Sequence, residues 1–470
     1  MKSHKGMFGL SATLLRWVVG CCSCIATVCG PNDLVLAQES DGDVDDSSQW
    51  YQHEALKPIS TELSFDLFSY WETPRATDDS FDLLGDLKLE FGDGFAESGY
   101  YVFSPRARFD TADYTKHRAG FIDRTPGRSH LDFDEAYVGW IGSSGEVTVG
   151  KRIYTWGYGD LYRPVDQINP VDLLDIPTME KIGTTSLSFL KNVGGTEIEA
   201  IYSPWFIPSR VPGVGNRWLA DFTPLAGTLK HQLGFDPLVG LGGREVPSAV
   251  LENGQFGLRI GSSEWVEGTD LFVSYYHGND PIGVYRADVA PPTVTLTPVY
   301  PRFHEFGTGF SRLMGEFEVH GETAFHLTEG TDFDDDYMEY VVGVNRSWYP
   351  EFGGGFLEEI RVTLEYSGET IMTDQRSGTA FLPTGRFIRP FQNSILSSIV
   401  FQQEETVKSK FVYLANLESY NGMFRAQYSR QYWDQLDVHL GLDLFFGDET
   451  TLFGGWQENQ RVFLSSSWQF

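Results

Sequence analysis

Cysteine is nearly absent. The four cysteines, Cys21, Cys22, Cys24 and Cys29, all fall within the first 37 residues. That stretch has the build of an export signal, with Lys2 and Lys5 in front and a largely apolar run from Met7 to Gly30 broken by Arg16. Leu34-Val35-Leu36-Ala37 then offers a small residue for cleavage before the acidic Gln38-Glu39-Ser40-Asp41. Residues 1–37 are read as a secretory signal peptide. Arg16 and the short apolar core argue against a permanent membrane anchor. A lipid-modified cysteine in Val18-Val19-Gly20-Cys21 is the other alternative, and it would leave a further apolar run on the mature protein. With the leader gone no thiol remains, which excludes disulfides and thiolate chemistry.

Positive charge and long apolar runs are also scarce. Lys plus Arg number 35 against 65 Asp plus Glu, a net charge of −30. The leader holds Lys2, Lys5 and Arg16 against Asp33 alone, so the mature chain is more acidic still. A surface of this sign repels nucleic acid and favours cations. After the leader no apolar run is long enough for a membrane helix. The length would suit roughly two or three soluble domains, yet the composition never shifts clearly along the chain.

What the chain has instead is alternation. In 81–91 the odd positions are apolar apart from Gly85, and the even ones include Asp82, Asp86, Lys88 and Glu90. The same period of two returns in 360–366 and 436–444. Such a strand fits a soluble sandwich or propeller, apolar face inward, or a membrane barrel, apolar face outward. The connections separate the two. They are long at 110–129, 156–183, 204–251, 278–302, 369–391 and 447–460, and short at 142–145, 192–195 and 405–407. Long loops on one rim and tight turns on the other predict an all-β fold, a transmembrane antiparallel β-barrel of about 16–18 strands. It occupies residues 58–470, behind an acidic periplasmic segment at 38–57. In it Leu83, Leu87, Leu89, Val362, Leu364, Leu440 and Leu442 face lipid. Asp86, Lys88, Glu90, Arg361, Glu365 and Asp443 face the lumen.

The last strand, 461–470, ends on Phe470 with Val462, Leu464 and Trp468 on the same face. Here the chain resembles Gram-negative outer-membrane β-barrel proteins, and 146–183 resembles uncharacterised porin-like members through Gly150-Lys151-Arg152, Trp156-Gly157 and Asn169-Pro170-Val171-Asp172. Ser466 departs from the usual apolar position of the terminal strand. The resemblance implies an outer-membrane location, a partner in the barrel assembly machinery that reads the strand ending at Phe470, and transport of an unnamed solute.

The candidate site is the loop 156–183 with the strand before it. Arg152 alternates with Val147, Val149 and Ile153, which places it in the lumen, while Lys151 falls on the apolar side and must snorkel or sit near the rim. The loop carries Asp160, Arg163, Asp166, Asn169, Asp172, Asp175, Glu180 and Lys181, and Pro164, Pro170 and Pro177 stiffen it. A mobile outer loop has no use for Val165, Ile168, Val171, Leu173, Leu174 and Ile176, whereas a loop packed on the inner wall would bury them. The expected pore constriction comprises those charged and amide residues with Arg152 and Tyr154, acids facing Arg152 across a transverse field. An exterior cap over the mouth is the alternative placement.

Other features carry less. The run 332–336 is an acidic loop that could bind calcium, and 41–46 fails as a calcium loop because Asp46 replaces its glycine. Tyr70, Trp71, Tyr100, Tyr101, Trp140, Trp348 and Tyr349 fit interfacial girdles. The ten histidines show no metal spacing, and no cofactor is expected. No Gly-x-Ser-x-Gly elbow occurs, and His277-Gly278-Asn279-Asp280 has no assignable nucleophile, so an enzyme is not expected. The expected function is passive passage of small solutes across the outer membrane. A structural or adhesive barrel with a plugged lumen, or a rim-site enzyme, are the alternatives. Lipid is the expected partner, and the sequence is silent on oligomeric state.

Overall fold

The computed structural model describes residues 60–72, 80–120, 122–219, 230, 233–330, 334–350, 357–373 and 391–470. The signal peptide, the 38–57 segment and part of the 332–336 run lie outside them. The strands of the main sheet begin with β1 Ser60–Tyr70, β2 Phe81–Phe95, β3 Gly99–Asp110, β4 Arg128–Gly142, β5 Gly145–Arg152 and β6 Thr184–Val193. They continue with β7 Thr196–Ser203, β8 Gln255–Val266, β9 Thr269–Asn279, β10 Arg302–Met314, β11 Phe317–Thr328 and β12 Asp336–Trp348. The last third holds β13 Glu359–Thr373, β14 Ser394–Glu404, β15 Val407–Asn416, β16 Asn421–Tyr432, β17 Leu436–Phe446 and β18 Arg461–Gln469.

Each strand pairs antiparallel with the next, and β18 pairs with β1, Glu62 opposite Gln469 and Tyr70 opposite Arg461, so eighteen strands close a barrel. Thr61 and Phe470 exchange backbone hydrogen bonds of 3.1 and 3.0 Å at the seam. Closure leaves the barrel no unpaired edge, which a hydrocarbon environment requires. Hairpins on one rim are tight. Between β6 and β7 both turn residues, Gly194 and Gly195, take positive φ (53° and 71°), the conformation a two-residue hairpin needs.

The pleat sorts the two faces as the alternation predicts. On β11, His320, Glu322, Ala324 and His326 are buried while Phe325 and Leu327 are exposed. On β13, Thr363, Glu365 and Ser367 are buried and Leu364 is exposed. Leu83, Leu87 and Leu440 are exposed as well, whereas Asp86 pairs with Arg106 and Asp443 with Arg461. Charge buried inside and hydrocarbon displayed outside is the inverse of a water-soluble barrel and suits lipid.

Three expectations need correction. The connections 204–251 and 278–302 contain structure: Leu238–Leu241, Val284–Ala290 and Thr293–Val299 form a separate three-stranded sheet around Ala287, Val294 and Leu296. The β-branched run in the last of these was legible, and Pro298 masked it. Thr115–Ala119, in the connection 110–129, adds a short parallel strand to β4. Tyr70 and Tyr100 leave the girdle set: the Tyr70 ring lies under the Arg217 guanidinium at 3.3 Å, and the Tyr100 hydroxyl bonds Glu146. Both are drawn to charge on the inner face.

Candidate functional site: the segment between β5 and β6

β5 stops at Arg152, three residues earlier than the alternation suggests, because the next amides are taken by side chains. Ile153 donates to Glu135 Oε1 at 2.9 Å and Tyr154 to Asn169 Oδ1 at 2.6 Å. The Asn169 amide nitrogen donates in turn to the carbonyls of Ile182 (2.8 Å) and Arg152 (3.2 Å), so one side chain clamps the neck of the segment. Val171–Asp172 pairs with Glu180–Lys181 as a minimal ribbon beyond that neck.

From the neck the chain reaches strands far along the sheet. Glu322 on β11 accepts the amide protons of Tyr158 and Gly159. Glu365 on β13 accepts those of Asp160 (2.7 Å), Leu161 (3.2 Å) and Tyr162 (3.2 Å), and His320 Nε2 stands 2.9 Å from it. Trp156 Nε1 donates to Glu199 on β7 at 2.7 Å. Tyr154, Trp156, Val165 and Ile168 pack on Ile201, Phe272, Tyr276, Phe303 and Ala324 of the wall. The wall is cut to receive them: a Cβ on Gly257 would come within 2.9 Å of Trp156, and one on Gly307 within 2.7 Å of Val165.

The other end of the segment is held by charge. Glu180 meets Arg106 of β3 at 2.9 Å, and that guanidinium also reaches Asp134 at 2.9 Å and Asp86 at 2.5 Å. Asp172 lies between Arg128 (2.9 Å) and Arg210 (3.0 Å), and Arg210 continues to Asp123 (2.5 Å) and Asp132 (3.5 Å). Asp175 bonds Arg461 of β18 at 2.8 Å, and Arg425 of β16 donates to the Pro177 carbonyl at 2.8 Å. Burial raises the Asp172 carboxyl, but Arg128 and Arg210 outweigh it and hold the group below the usual carboxylate range. Burial likewise raises Glu180, and Arg106 brings it down. Asp166 goes the other way: burial pushes it up by more than Lys181, 2.5 Å away, withdraws.

The charged residues singled out in the sequence are thus brought to one segment, but their pairing differs from expectation. The Arg152 guanidinium lies over the rings of Tyr137 (5.3 Å) and Tyr154 (5.4 Å) and 3.9 Å from Glu146. The acids expected opposite it are bound elsewhere, Asp166 to Lys181 and Asp172 to Arg128 and Arg210. Lys151 is buried, not snorkelling: its Nζ bonds Asp123 and lies 3.2 Å from Asp132. Gly150 just before it takes φ 139°, a conformation only glycine holds easily, while the pairing to both neighbouring strands continues through it. Asp160 accepts from Asn345 at 2.5 Å, and Arg163 bonds the Gly159 carbonyl.

Sequence reasoning missed the residues that receive the segment. Glu322, Glu199, Arg106, Arg128 and Arg461 were visible as charges at inward positions of strands, and Asp123 and Arg210 gave no signal because irregular backbone brings them in. Asp160, His320 and Glu365 approach one another closely enough to hold a cation, yet Glu365 is already committed to backbone amides. In the His277–Asp280 constellation the last two residues are tied up in place, Asn279 donating to the Tyr300 carbonyl and Asp280 accepting from Ile282 and Gly283.

A closed, even-numbered antiparallel barrel with an apolar exterior and a charged interior defines a β-barrel of the outer-membrane type. No protein-family profile and no curated protein matches the chain. Among solved structures it is similar to Pseudomonas aeruginosa OpdK with vanillate, at 9% identity over 87% of this chain and 98% of that one, TM-score 0.44. It is also similar to Salmonella typhi OmpF in complex with daunomycin, at 9% identity over 87% and 97%, TM-score 0.40. OmpT, an outer membrane protein of Vibrio cholerae, stands at 7% identity over 90% and 100%, TM-score 0.39. Likeness this distant carries nothing about solute or site.

Proposed function

We propose that the chain is an outer-membrane channel for passive passage of small solutes, with the segment 156–183 as its constriction. The observation that supports this most is the span of that segment's bonds, from Arg106 on β3 to Glu365 on β13 and Arg461 on β18. A chain bonded to inward-facing groups on widely separated strands of one closed sheet crosses the lumen. The charged residues that keep part of their surface open there, Arg152, Asp160, Arg163, Asp166, Glu180 and Lys181, carry both signs. Solutes would meet a mixed-charge slot, fitting small hydrophilic or dipolar compounds.

A second reading has an observation of its own. Trp156, Val165, Asp175 and Arg210 are almost completely enclosed, as in a plug, and a structural or adhesive barrel would be built that way. Single-channel recording in planar bilayers separates the two. The channel reading expects discrete conductance steps that grow when 161–175 is deleted. A folded, inserted barrel without steps, or with the same steps after the deletion, would remove it.

A further inference from the structure

We propose that His277, His304 and Glu329 form a divalent metal site of the zinc class on the outward face of the barrel, at its long-loop rim. The pleat and register bring them together. His277 on β9 lies directly opposite His304 on β10, and His304 lies opposite Leu327 on β11. Glu329 follows Leu327 by two residues and so shares its face. That face is the outer one, since Phe306 and Leu327 on it are exposed while Tyr276, Phe303, Glu305 and His326, of the other parity, are buried.

The two imidazoles stack with centroids 4.4 Å apart and planes 8° from parallel. His277 Nε2 hydrogen-bonds Glu329 Oε1 at 2.7 Å, and His304 Nε2 lies 3.2 Å from the same oxygen without pointing at it. Zinc bonds of about 2.0–2.1 Å in tetrahedral geometry set neighbouring ligand atoms about 3.3 Å apart, so the spacing suits a metal, and one imidazole must turn out of the stack to bring both in-plane lone pairs onto one ion. Two imidazole nitrogens and one carboxylate suit zinc, nickel or copper and not calcium or magnesium, and leave a fourth position for water. The Tyr275 hydroxyl stands 2.9 Å from His304 Nδ1. When that hydroxyl accepts from Nδ1–H, Nε2 is left unprotonated for a metal. The side chains keep 27%, 38% and 42% of their surface, enough for an ion to enter from the aqueous rim. Arg302 opposes binding: its Nη2 lies 3.4 Å from the His277 ring while donating to the Gly254 carbonyl at 3.1 Å. The site therefore binds more weakly than the same ligands would without that charge. A bound ion would join three consecutive strands where their pairing ends.

The mature chain, residues 38–470, which lacks the four leader cysteines, is refolded in detergent, stripped with chelator, titrated with Co²⁺ and followed by the visible absorption of the four-coordinate ion. The expected result is one Co²⁺ per chain, displaced by Zn²⁺. His304→Ala and Glu329→Gln should each weaken uptake by at least about 10-fold, His130→Ala on another strand should leave it unchanged, and Arg302→Gln should tighten it. Glu329 lies on the exposed rim beyond its strand, so Glu329→Gln carries the test if the histidine variant fails to fold. No Co²⁺ uptake by the wild-type chain, or unaltered uptake by folded Glu329→Gln, overturns the proposal.

Discussion

Two walls of the barrel hold the same segment by different chemistry. Along β3, β4 and β18 the contacts are side chain to side chain: Arg106 to Glu180, Arg128 to Asp172, Arg461 to Asp175. Along β11 and β13 they are carboxylate to backbone, with Glu322 and Glu365 accepting consecutive amide protons from Tyr158 to Tyr162. The first kind of anchor depends on the identity of residues at both ends. The second depends only on the wall, because every residue there except proline supplies an N–H. The amide contacts of 158–162 set no side-chain identity; space does, since a Cβ on Gly159 would collide with the Tyr162 carbonyl oxygen, and the Tyr158 and Tyr162 rings pack on Phe272 and Phe391.

The largest effect should come from the charged wall. Arg210 is buried and shared among Asp172, Asp123 and Asp132. Arg210→Ala strands carboxylates in a dry site, and breaking a buried ion network from one side costs about 3–5 kcal/mol. We expect a lower urea midpoint together with larger and noisier conductance. A variant that unfolds with the wild type and conducts identically would show that Asp172 is held by Arg128 alone.

How much of this was legible follows the same division. The barrel could be read because a period of two needs only local composition, and Leu364 beside Glu365 states the facing of a strand without any partner. The segment 156–183 stood out because it put Ile168 and Leu174 into a connection where solvent offers them nothing. Its pairing could not be read. Asp172 meets Arg128 and Arg210, separated from it by 44 and 38 residues, and only the closure of the barrel decides that they and not Arg152 are its neighbours. The histidine and glutamate cluster escaped for a related reason. Metal spacing is sought along one strand or helix, whereas His277, His304 and Glu329 are neighbours across three strands through register.

The backbone wall should respond less, and asymmetrically. Glu365→Ala removes the acceptor of three amide protons, and hydrogen bonds to a charged group are worth about 1.5–3 kcal/mol. The expected result is frequent flickering between conductance levels, with a fall in urea midpoint smaller than that of Arg210→Ala because lumen water can take up the freed amides. Leu161→Ala keeps its N–H and should leave the recordings quiet. If Leu161→Ala flickers as much as Glu365→Ala, side-chain packing and not the amide cradle holds this end.

The smallest effect is the response to acid, and its two steps run in opposite directions. Asp166 has a carboxyl raised by burial beyond what Lys181 withdraws, so among the segment's three acids Asp166, Asp172 and Glu180 it takes a proton first as pH falls. Because the folded segment favours its neutral form, that step adds to stability, while Lys181 loses its counter-charge. Asp172 and Glu180 are held below the ordinary range by Arg128, Arg210 and Arg106 against the pull of burial. Their contribution is complete above the unfolded carboxylate value, near 4, and is lost only as pH falls through their lower folded values. From neutral pH down to about 4 the reversal potential should therefore move toward anions at constant conductance. Conductance should rise only in stronger acid, as the charged wall lets go. Asp166→Asn should diminish the first change and spare the second. A conductance that rises in step with the shift in selectivity would mean that the charged wall and Asp166 titrate together and that the pairing described for Asp172 does not protect it.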